Sequence, residues 1–280
     1  MSELLQQSYN YCRDVTRQAT STFYLASRFF SPEVRPNLYA VYAFCRIADD
    51  IADSGTLSTH DRLAEIGLMR RALETRRYAD DDLLWLAFFD TLKKHNIPVK
   101  YFIDLLDGMI FDIEGRTIQT EADFELYCYR VAGTVGAICA HILTNQPSNE
   151  VVEASIRLGR AMQYTNILRD VSADAQIHRV YLPADLMRRY TLTRDNILQG
   201  EAADSLAQLL ATLAKKAHAH YDYAEIGIKL LPRKHQRPVL VALNLYRAIL
   251  EKIEHNNYQV YNKRTRLSLL HKCIVALRAS

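Results

Sequence analysis

Apolar residues recur at helical spacing along nearly all of the chain, with polar positions between them. Spacings of three and four residues are typical of an amphipathic helix, because 3.6 residues complete one turn. The pattern predicts a first helix over residues 3–28, broken near residues 20–21, and a second that follows residues 31–32 and runs to about Asp53. Further helices are predicted at 60–76, 80–95, 98–113, 121–144, 150–173, 203–229, 236–257 and 263–278.

Four of the seven prolines lie between these predicted helices. Pro98, Pro147, Pro183 and Pro232 all fall where helices usually stop. No run of alternating β-branched residues is long enough to predict a strand. No repeat, low-complexity tract or shift in composition marks a linker. The sequence therefore predicts one all-α domain over residues 1–280.

Composition narrows the class of protein. The 280 residues include 9 glycines and 7 prolines, which is sparse against an average of roughly 7% and 5% and favours long helices. Hydrophobic residues make up 49% of the chain, enough to bury a substantial core. The 35 basic and 32 acidic residues nearly balance, so the charge indicates no nucleic-acid partner.

Cysteine usage and the N-terminus indicate a cytoplasmic protein. The start, MSELLQQSYN, lacks the basic end and apolar run of a signal peptide. The longest apolar stretch, at 131–143, is well short of the roughly 20 residues that span a bilayer, and predicts a buried core helix. We expect the protein to be soluble, or peripheral on a membrane. The five cysteines form no CxxC pair, which predicts free thiols rather than zinc ligands or disulfides: Cys12, Cys45, Cys128, Cys139 and Cys273.

Two stretches, over a hundred residues apart, each carry carboxylates four positions apart. The first, CRIADDIAD at 45–53, places Asp49 and Asp53 on one helix face, with Arg46 on the same side. The second, NILRDVSAD at 166–174, places Asp170 and Asp174 likewise. One such pair is typical of a solvated face, because like charges at this spacing cost only a few tenths of a kcal/mol. Two pairs embedded in apolar sequence favour a shared site.

The second acidic stretch continues a longer polar stripe. Gln163 and Asn166 precede Asp170 and Asp174 at spacings of three, four and four. Mg²⁺ prefers oxygen ligands and is typically held by carboxylates together with substrate phosphates. Two facing acidic helices therefore predict a cleft for Mg²⁺, with Mn²⁺ as an alternative, and a diphosphate. A di-iron bundle is a rival, but it would use Glu and Glu-x-x-His, which neither stretch contains.

Two further motifs have a functional and a structural interpretation. In HRVYLP at 178–183, Arg179 and Tyr181 follow the second acidic stretch, and an arginine suits phosphate oxygens because its donors are forked. On this motif alone an ordinary surface arginine is the alternative. The segment YCYRVAGTVGAICAHIL at 127–143 has a face of small residues that includes Gly133 and Gly136. It indicates either tight helix packing or a broken helix beside a substrate tunnel.

The run LGRAMQYTNILRDVSADAQIHRVYLP, residues 158–183, resembles the second signature of the squalene and phytoene synthase family. The segment at 127–142 is similar to the family's other signature, and STFYLASRFF with YAVYAFCRIADDIAD, within 21–53, is similar to its N-terminal region. The similarity continues into YRAILEKIEHNNYQV near the C-terminus, so it covers most of the chain. Together these motifs are highly specific.

The resemblance implies a single-domain isoprenoid-synthase helical bundle with a central cavity. It implies a prenyltransferase that joins two prenyl diphosphates head to head, with Mg²⁺, through a cyclopropylcarbinyl diphosphate. The metal ligands that it implies are Asp49, Asp53, Asn166, Asp170 and Asp174. The substrate-binding residues that it implies are Ser21, Arg46, Gln163, Asn166, Arg169, Arg179, Tyr181 and Arg264, with Arg266 as an alternative to the last. The catalytic residues that it implies are Tyr42, Tyr127, Tyr246, Arg46 and Arg169. Some members have His at the position of Ala19, and that difference would shift phosphate binding onto Ser21 or Arg46.

The similarity of STFYLASRFF and of the NNYQVYNKR tail to phytoene synthases favours one product. We expect two geranylgeranyl diphosphates to give phytoene through prephytoene diphosphate, in carotenoid biosynthesis and without NADPH. The alternative is condensation of farnesyl diphosphate to squalene, presqualene diphosphate, hydroxysqualene or dehydrosqualene.

An assembly factor without catalysis should have lost Asp or Arg from the acidic stretches, and both are intact. A scaffold with solvated acidic faces would bind no diphosphate. A greasy product also predicts peripheral membrane contact and a downstream desaturase as partner.

Overall fold

The computed structural model describes residues 2–19, 24, 27–261 and 264–268. Within these residues the secondary structure is helical and contains no strand, which confirms the predicted all-α fold. The helices are α1 (Glu3–Ala19), α2 (Arg35–Ala52), α3 (Thr59–Thr75), α4 (Leu83–His95), α5 (Lys100–Ile113), α6 (Glu121–Cys128), α7 (Thr134–Thr144), α8 (Asn149–Gln176), α9 (Ala184–Arg189), α10 (Arg194–Gln199), α11 (Ala203–Ile228) and α12 (Arg233–His255).

The helix boundaries follow local chemistry that the sequence displays. The Ser58 hydroxyl accepts from the backbone N–H of Asp61 at the start of α3, and Ser148 does the same for Val151 at the start of α8. Such caps satisfy backbone donors that have no partner within the helix. For α3 to α8 the predicted boundaries agree with the structure within about three residues.

Two short helices, α9 and α10, were not predicted. Each has six residues, fewer than two turns, so neither shows a helical period in its apolar residues. Helix α12 begins at Arg233, before the predicted start at 236, and contains Pro238. The predicted helix at 263–278 and the predicted break at residues 20–21 lie outside the described residues. Four of the predicted free thiols are confirmed, and Cys273 is not among the described residues.

The small-residue segment is helical from α6 to α7, with one π-helical turn, Tyr129–Gly133, between them. A Cβ atom on Gly136 would lie 2.0 Å from the carbonyl oxygen of Ser155 in α8. One on Gly159 would lie 2.2 Å from the carbonyl oxygen of Ala132. The glycines therefore permit tight packing against α8. By length and composition the 24 residues Glu121–Thr144 could cross a membrane, but half of the most apolar 18-residue window within them is buried inside the bundle, as in the core helix of a folded domain.

Candidate active site

One cavity of about 290 Å³ lies where α2, α5, α6 and α8 meet. It brings together nine residues that the sequence singled out: Asp49, Asp53, Tyr127, Gln163, Asn166, Asp170, Asp174, Arg179 and Tyr181. The two acidic stretches thus face one space, although more than a hundred residues separate them along the chain. Met109, Asp112, Val131 and Ile167 complete most of the lining.

The carboxylates of the cavity come from the C-terminal ends of three helices. Asp49 lies in the last turn of α2 and Asp53 is its C-cap, while Asp112 lies in the last turn of α5. Asp170 and Asp174 occupy the last two turns of α8. A helix C-terminus carries roughly half a negative charge from its aligned peptide dipoles. The three ends add to the side-chain charge, so the cavity favours cations.

Because the cavity holds more negative than positive charge, the pKa values of several of these carboxylates are raised. Burial, followed by repulsion from Asp53, raises the pKa of Asp49 from 3.8 to about 7. Burial, followed by repulsion from Asp170, raises the pKa of Asp174 to about 7. Burial also raises the pKa of Asp112 to about 6. A cation that entered the cavity would reduce the repulsion between these carboxylates, as a bound proton does.

Two of the carboxylates form ion pairs with arginines. Arg264 donates from Nε and Nη2 to the two oxygens of Asp170, at 2.7 and 2.8 Å, and Arg169 donates to both oxygens as well. Burial by itself would raise the pKa of Asp170, but these hydrogen bonds lower it below its ordinary value. Arg179 donates from Nη1 to Oδ1 of Asp53 at 3.1 Å, and so joins the second motif to the first.

Asp112 is a cavity residue that the sequence analysis missed. Its carboxylate accepts from the Tyr181 hydroxyl at 3.0 Å and from the Tyr127 hydroxyl at 3.0 Å. The two tyrosine rings stack with centroids 5.0 Å apart, and both line the cavity. The one available signal was an isolated aspartate within the apolar run MIFDI, which has no partner at helical spacing among the acidic stretches.

Other predicted site residues do not line this cavity. Arg46 donates from Nε to Oδ2 of Asp50 at 3.1 Å, although its charge also acts on Asp49. Tyr42 is half-buried, and its pKa is raised by burial. Tyr246 packs against the larger apolar core of α8 and α11, and Ser21 lies outside the described residues. Of the two alternatives near the C-terminus, the structure places Arg264 at the acidic cavity through Asp170.

The donor set suits Mg²⁺. The Oδ1 atom of Asn166 is buried and has no hydrogen-bond partner in the described part of the chain, while its Nδ2 donates to Gln163 Oε1 at 3.3 Å. An unpaired amide oxygen beside carboxylates offers the hard ligands that Mg²⁺ prefers. Among the described residues no three Asp, Glu, His or Cys side chains are grouped closely enough to hold a metal ion, and Asp53 and Asp170 instead pair with arginines.

We expect Mg²⁺ to raise the midpoint of thermal unfolding more at about pH 8 than at about pH 6. Asp49 and Asp174 have folded-state pKa values of about 7, above the ordinary 3.8. Without metal, the contribution of these two groups to the free energy of unfolding therefore falls as the pH rises from about 4 to 7. Below pH 7 the metal must displace their protons, and above it the metal neutralises their repulsion.

Scanning fluorimetry with and without Mg²⁺ at each pH measures this increment. The difference cancels the contribution of His95, His141 and His235, whose pKa values are lowered by burial and whose effect on stability has the opposite sign. An increment that is equal at both pH values, or larger at the lower one, would contradict the prediction.

Known proteins resemble this chain in sequence. A sequence profile described as squalene/phytoene synthase matches residues 16–271. The chain is 33% identical to a 15-cis-phytoene synthase of Synechocystis sp., over 98% of this chain and 86% of that protein. It is 34% identical to phytoene synthase 1, chloroplastic, of Arabidopsis thaliana, over 96% of this chain, but it spans 65% of that protein's length.

Solved structures with the same fold include two synthases. A dehydrosqualene synthase in complex with ligand superposes with a TM-score of 0.87 at 29% identity, covering 98% of this chain and 96% of the other. A squalene synthase from Alicyclobacillus acidocaldarius superposes with a TM-score of 0.83 at 26% identity, covering 92% and 97%. The helical arrangement of this chain is therefore that of the isoprenoid-synthase fold.

Proposed function

Because the chain belongs to the squalene/phytoene synthase family, an enzyme family of the prenyltransferase type, we propose that it condenses two molecules of geranylgeranyl diphosphate to phytoene with Mg²⁺. The observation that carries this proposal is the single cavity onto which both acidic pairs, Asn166 and Arg179 face. Relatives named as phytoene synthases favour the longer substrate. Structural neighbours named as squalene and dehydrosqualene synthases keep farnesyl diphosphate as the alternative.

In the first half-reaction the C1–O bond of one allylic diphosphate breaks, and the bonding electron pair leaves with the diphosphate. Asp49, Asp53, Asn166, Asp170 and Asp174 would hold Mg²⁺, which would supply positive charge to the departing oxygens. Arg179 and Arg264 can pass from Asp53 and Asp170 to phosphate oxygens, because a guanidinium binds either anion through the same fork. That exchange frees the two carboxylates for the metal.

The remaining steps build and open a cyclopropane. The double bond of the second substrate attacks the cationic C1, and loss of a proton closes the three-membered ring. The second diphosphate then leaves, the carbon skeleton rearranges, and loss of another proton gives the central double bond. The stacked faces of Tyr127 and Tyr181 can stabilise these cations, and Asp112 holds both rings by their hydroxyls. Released diphosphate can accept the final proton.

The proposal extends to the surroundings of the enzyme. The product is a hydrocarbon, so we propose peripheral contact of a cytoplasmic enzyme with a membrane and transfer of the product to a desaturase. An assembly factor without catalysis is the candidate of another class. The intact acidic pairs and their arginines argue against it, because a protein without this chemistry would gain nothing from carboxylates that repel each other.

Product analysis tests the reaction. The purified protein is incubated with Mg²⁺ and either geranylgeranyl or farnesyl diphosphate, each with and without NADPH, and the extracted hydrocarbons are identified. Phytoene from the longer substrate without NADPH is the expected result. Product from farnesyl diphosphate alone would overturn the substrate. No product from either, together with no Mg²⁺-dependent diphosphate binding, would overturn the enzyme proposal.

Asp112→Asn is expected to lower kcat by about 10- to 100-fold and to release more prenyl alcohol relative to hydrocarbon. Asparagine replaces one carboxylate oxygen by a donor, so the Tyr127 hydroxyl loses its 3.0 Å bond to Oδ2 and keeps the longer one, 3.3 Å, to the oxygen that Tyr181 also uses. The Tyr127 ring is therefore held less firmly, and the cations become more open to water. Chromatography of the products measures the ratio of alcohol to hydrocarbon.

Asp104→Asn is the matched control for this variant. Asp104 also lies on α5 and accepts from a tyrosine hydroxyl, that of Tyr129, at 2.7 Å, but it does not line the cavity. The control should keep the ratio of the native enzyme. An unchanged ratio in Asp112→Asn would show that Asp112 does not position the rings.

A further inference from the structure

The end of the bundle opposite the acidic cavity gathers the N-termini of α2, α8 and α12 and the C-terminus of α11. Helices α8 and α11 run antiparallel, since Thr165 bonds to Tyr221 at 2.8 Å and Ala154 packs against Gly227. The turn before α2 meets the start of α12, where Lys234 pairs with Glu33 at 3.2 Å. With 18 residues, α2 separates this end from the acidic cavity by about 27 Å.

Large apolar side chains are exposed at this end. Phe29 is 75% exposed, Ile226 is 68% exposed and Leu230 is 57% exposed. Phe29 adjoins Phe30, whose ring lies 6.0 Å from that of His235 in α12. Ile226 lies in the last turn of α11, and Leu230 lies two residues after this helix ends. A charged neighbourhood around such exposed apolar residues usually marks an interaction surface.

Basic side chains surround these apolar residues. Arg28, Lys229, Arg233, Lys234 and Arg237 are all exposed here. Of the nearby acidic residues, Glu33 pairs with Lys234, Asp222 and Glu225 both pair with Arg247, and Glu150 is exposed in the first turn of α8. Three helix N-termini add positive partial charge to the same end, and the C-termini of α7 and α11 offset part of it. The basic apolar end, defined by the exposed residues Arg28, Phe29, Ile226, Lys229, Leu230, Arg233, Lys234 and Arg237, is thus positive, whereas the cavity end is negative.

We propose that the basic apolar end is the surface by which this protein docks on an anionic lipid bilayer. Phe29, Ile226 and Leu230 would enter the boundary between headgroups and acyl chains, and the basic residues would lie against lipid phosphates. Interfacial binding needs this combination of apolar area and cationic charge. The biological sense of the surface rests on the proposed function, because a hydrocarbon product must pass into lipid. The docking itself does not depend on the reaction.

Sedimentation with vesicles, in the absence of substrate, tests the proposal. One set of vesicles is phosphatidylcholine with about one third phosphatidylglycerol, and the other is phosphatidylcholine alone. The native protein should bind the anionic set more strongly, and less so at high salt. Lys229→Gln with Arg233→Gln should weaken binding to the anionic set by about fivefold for each charge removed. Phe29→Ser with Leu230→Gln should weaken binding to both sets.

Matched controls come from exposed residues elsewhere. Leu68→Gln removes a leucine that is 51% exposed on α3, and Arg188→Gln with Arg189→Gln removes two exposed charges on α9, which follows the C-terminal end of α8. These variants should bind as the native protein does. Equal binding by native and surface variants would overturn the proposal. Absence of binding to either set of vesicles would also overturn it. If, in that case, the same surface variants dissociate a dimer in sedimentation velocity, the surface is an interface between two copies of this chain instead. Phytoene synthesis in detergent by the surface variants reports separately on the proposed reaction.

Discussion

Asp174→Asn is expected to reduce product formation by about 100-fold or more and, at the same time, to stabilise the metal-free protein. The carboxylate is buried beside Asp170, which raises its pKa to about 7, so at alkaline pH it carries a charge that folding penalises. An amide of the same shape removes that charge and keeps the backbone oxygen that accepts from the N–H of Arg179 at 2.8 Å. The free energy of unfolding without metal should rise by about 1–2 kcal/mol near pH 8 and little near pH 4.

Urea unfolding at the two pH values and a product assay measure the two effects. Asp81→Asn, at an exposed position in the loop before α4, is the control and should change neither quantity. Mg²⁺ should stabilise the native protein and Asp81→Asn, and should stabilise Asp174→Asn much less. A loss of stability in metal-free Asp174→Asn would mean that the carboxylate is already compensated, contrary to the electrostatics described above.

Gly136→Ala is expected to lower the free energy of unfolding by about 3 kcal/mol, since overpacking of a close contact typically costs 1–3 kcal/mol or more. The new Cβ atom would lie 2.0 Å from the carbonyl oxygen of Ser155, a backbone atom that cannot turn aside as a side chain can. Helices α7 and α8 must therefore separate. Since α8 carries Asn166, Asp170 and Asp174, the separation should also weaken Mg²⁺-dependent diphosphate binding.

Gly67→Ala is the matched control within the same fold. Gly67 lies inside α3, and a Cβ atom there would meet no other atom within 4 Å. Alanine at this position should stabilise the protein by about 0.5–1 kcal/mol, because glycine loses more backbone entropy on folding. Chemical denaturation of both variants checks the opposite signs. A small effect of Gly136→Ala would show that the two helices tolerate a wider separation than the structure has.

The local sequence was sufficient for much of the fold and for part of the candidate site. The helical spacing of apolar residues located the helices because each helix buries one face. The i, i+4 spacing placed Asp49 beside Asp53 and Asp170 beside Asp174, since both relations lie within one helix. Helices α9 and α10 were missed because six residues show no period.

Tertiary structure alone decided which distant residues meet. The bond from Arg179 to Asp53 joins positions 126 residues apart, and the fork from Arg264 to Asp170 joins positions 94 apart. Asp112 acquired a role through Tyr127 and Tyr181, which reach it from α6 and from the loop after α8. No local period encodes such contacts, because they depend on how whole helices pack.

The difference in exposure and charge between the two ends of the bundle also depends on how the helices pack. Near the end of α11, Ile226 is exposed and Ile228 is buried, a difference that follows from the side on which α8 packs. The charge of each end also emerges only when helix termini from distant parts of the chain converge. The sequence by itself determined the helices and the acidic pairs, since both arise within one turn or a few. The tertiary structure decided the cavity and the two ends, because burial and electrostatic potential sum over neighbours that the chain brings together only on folding.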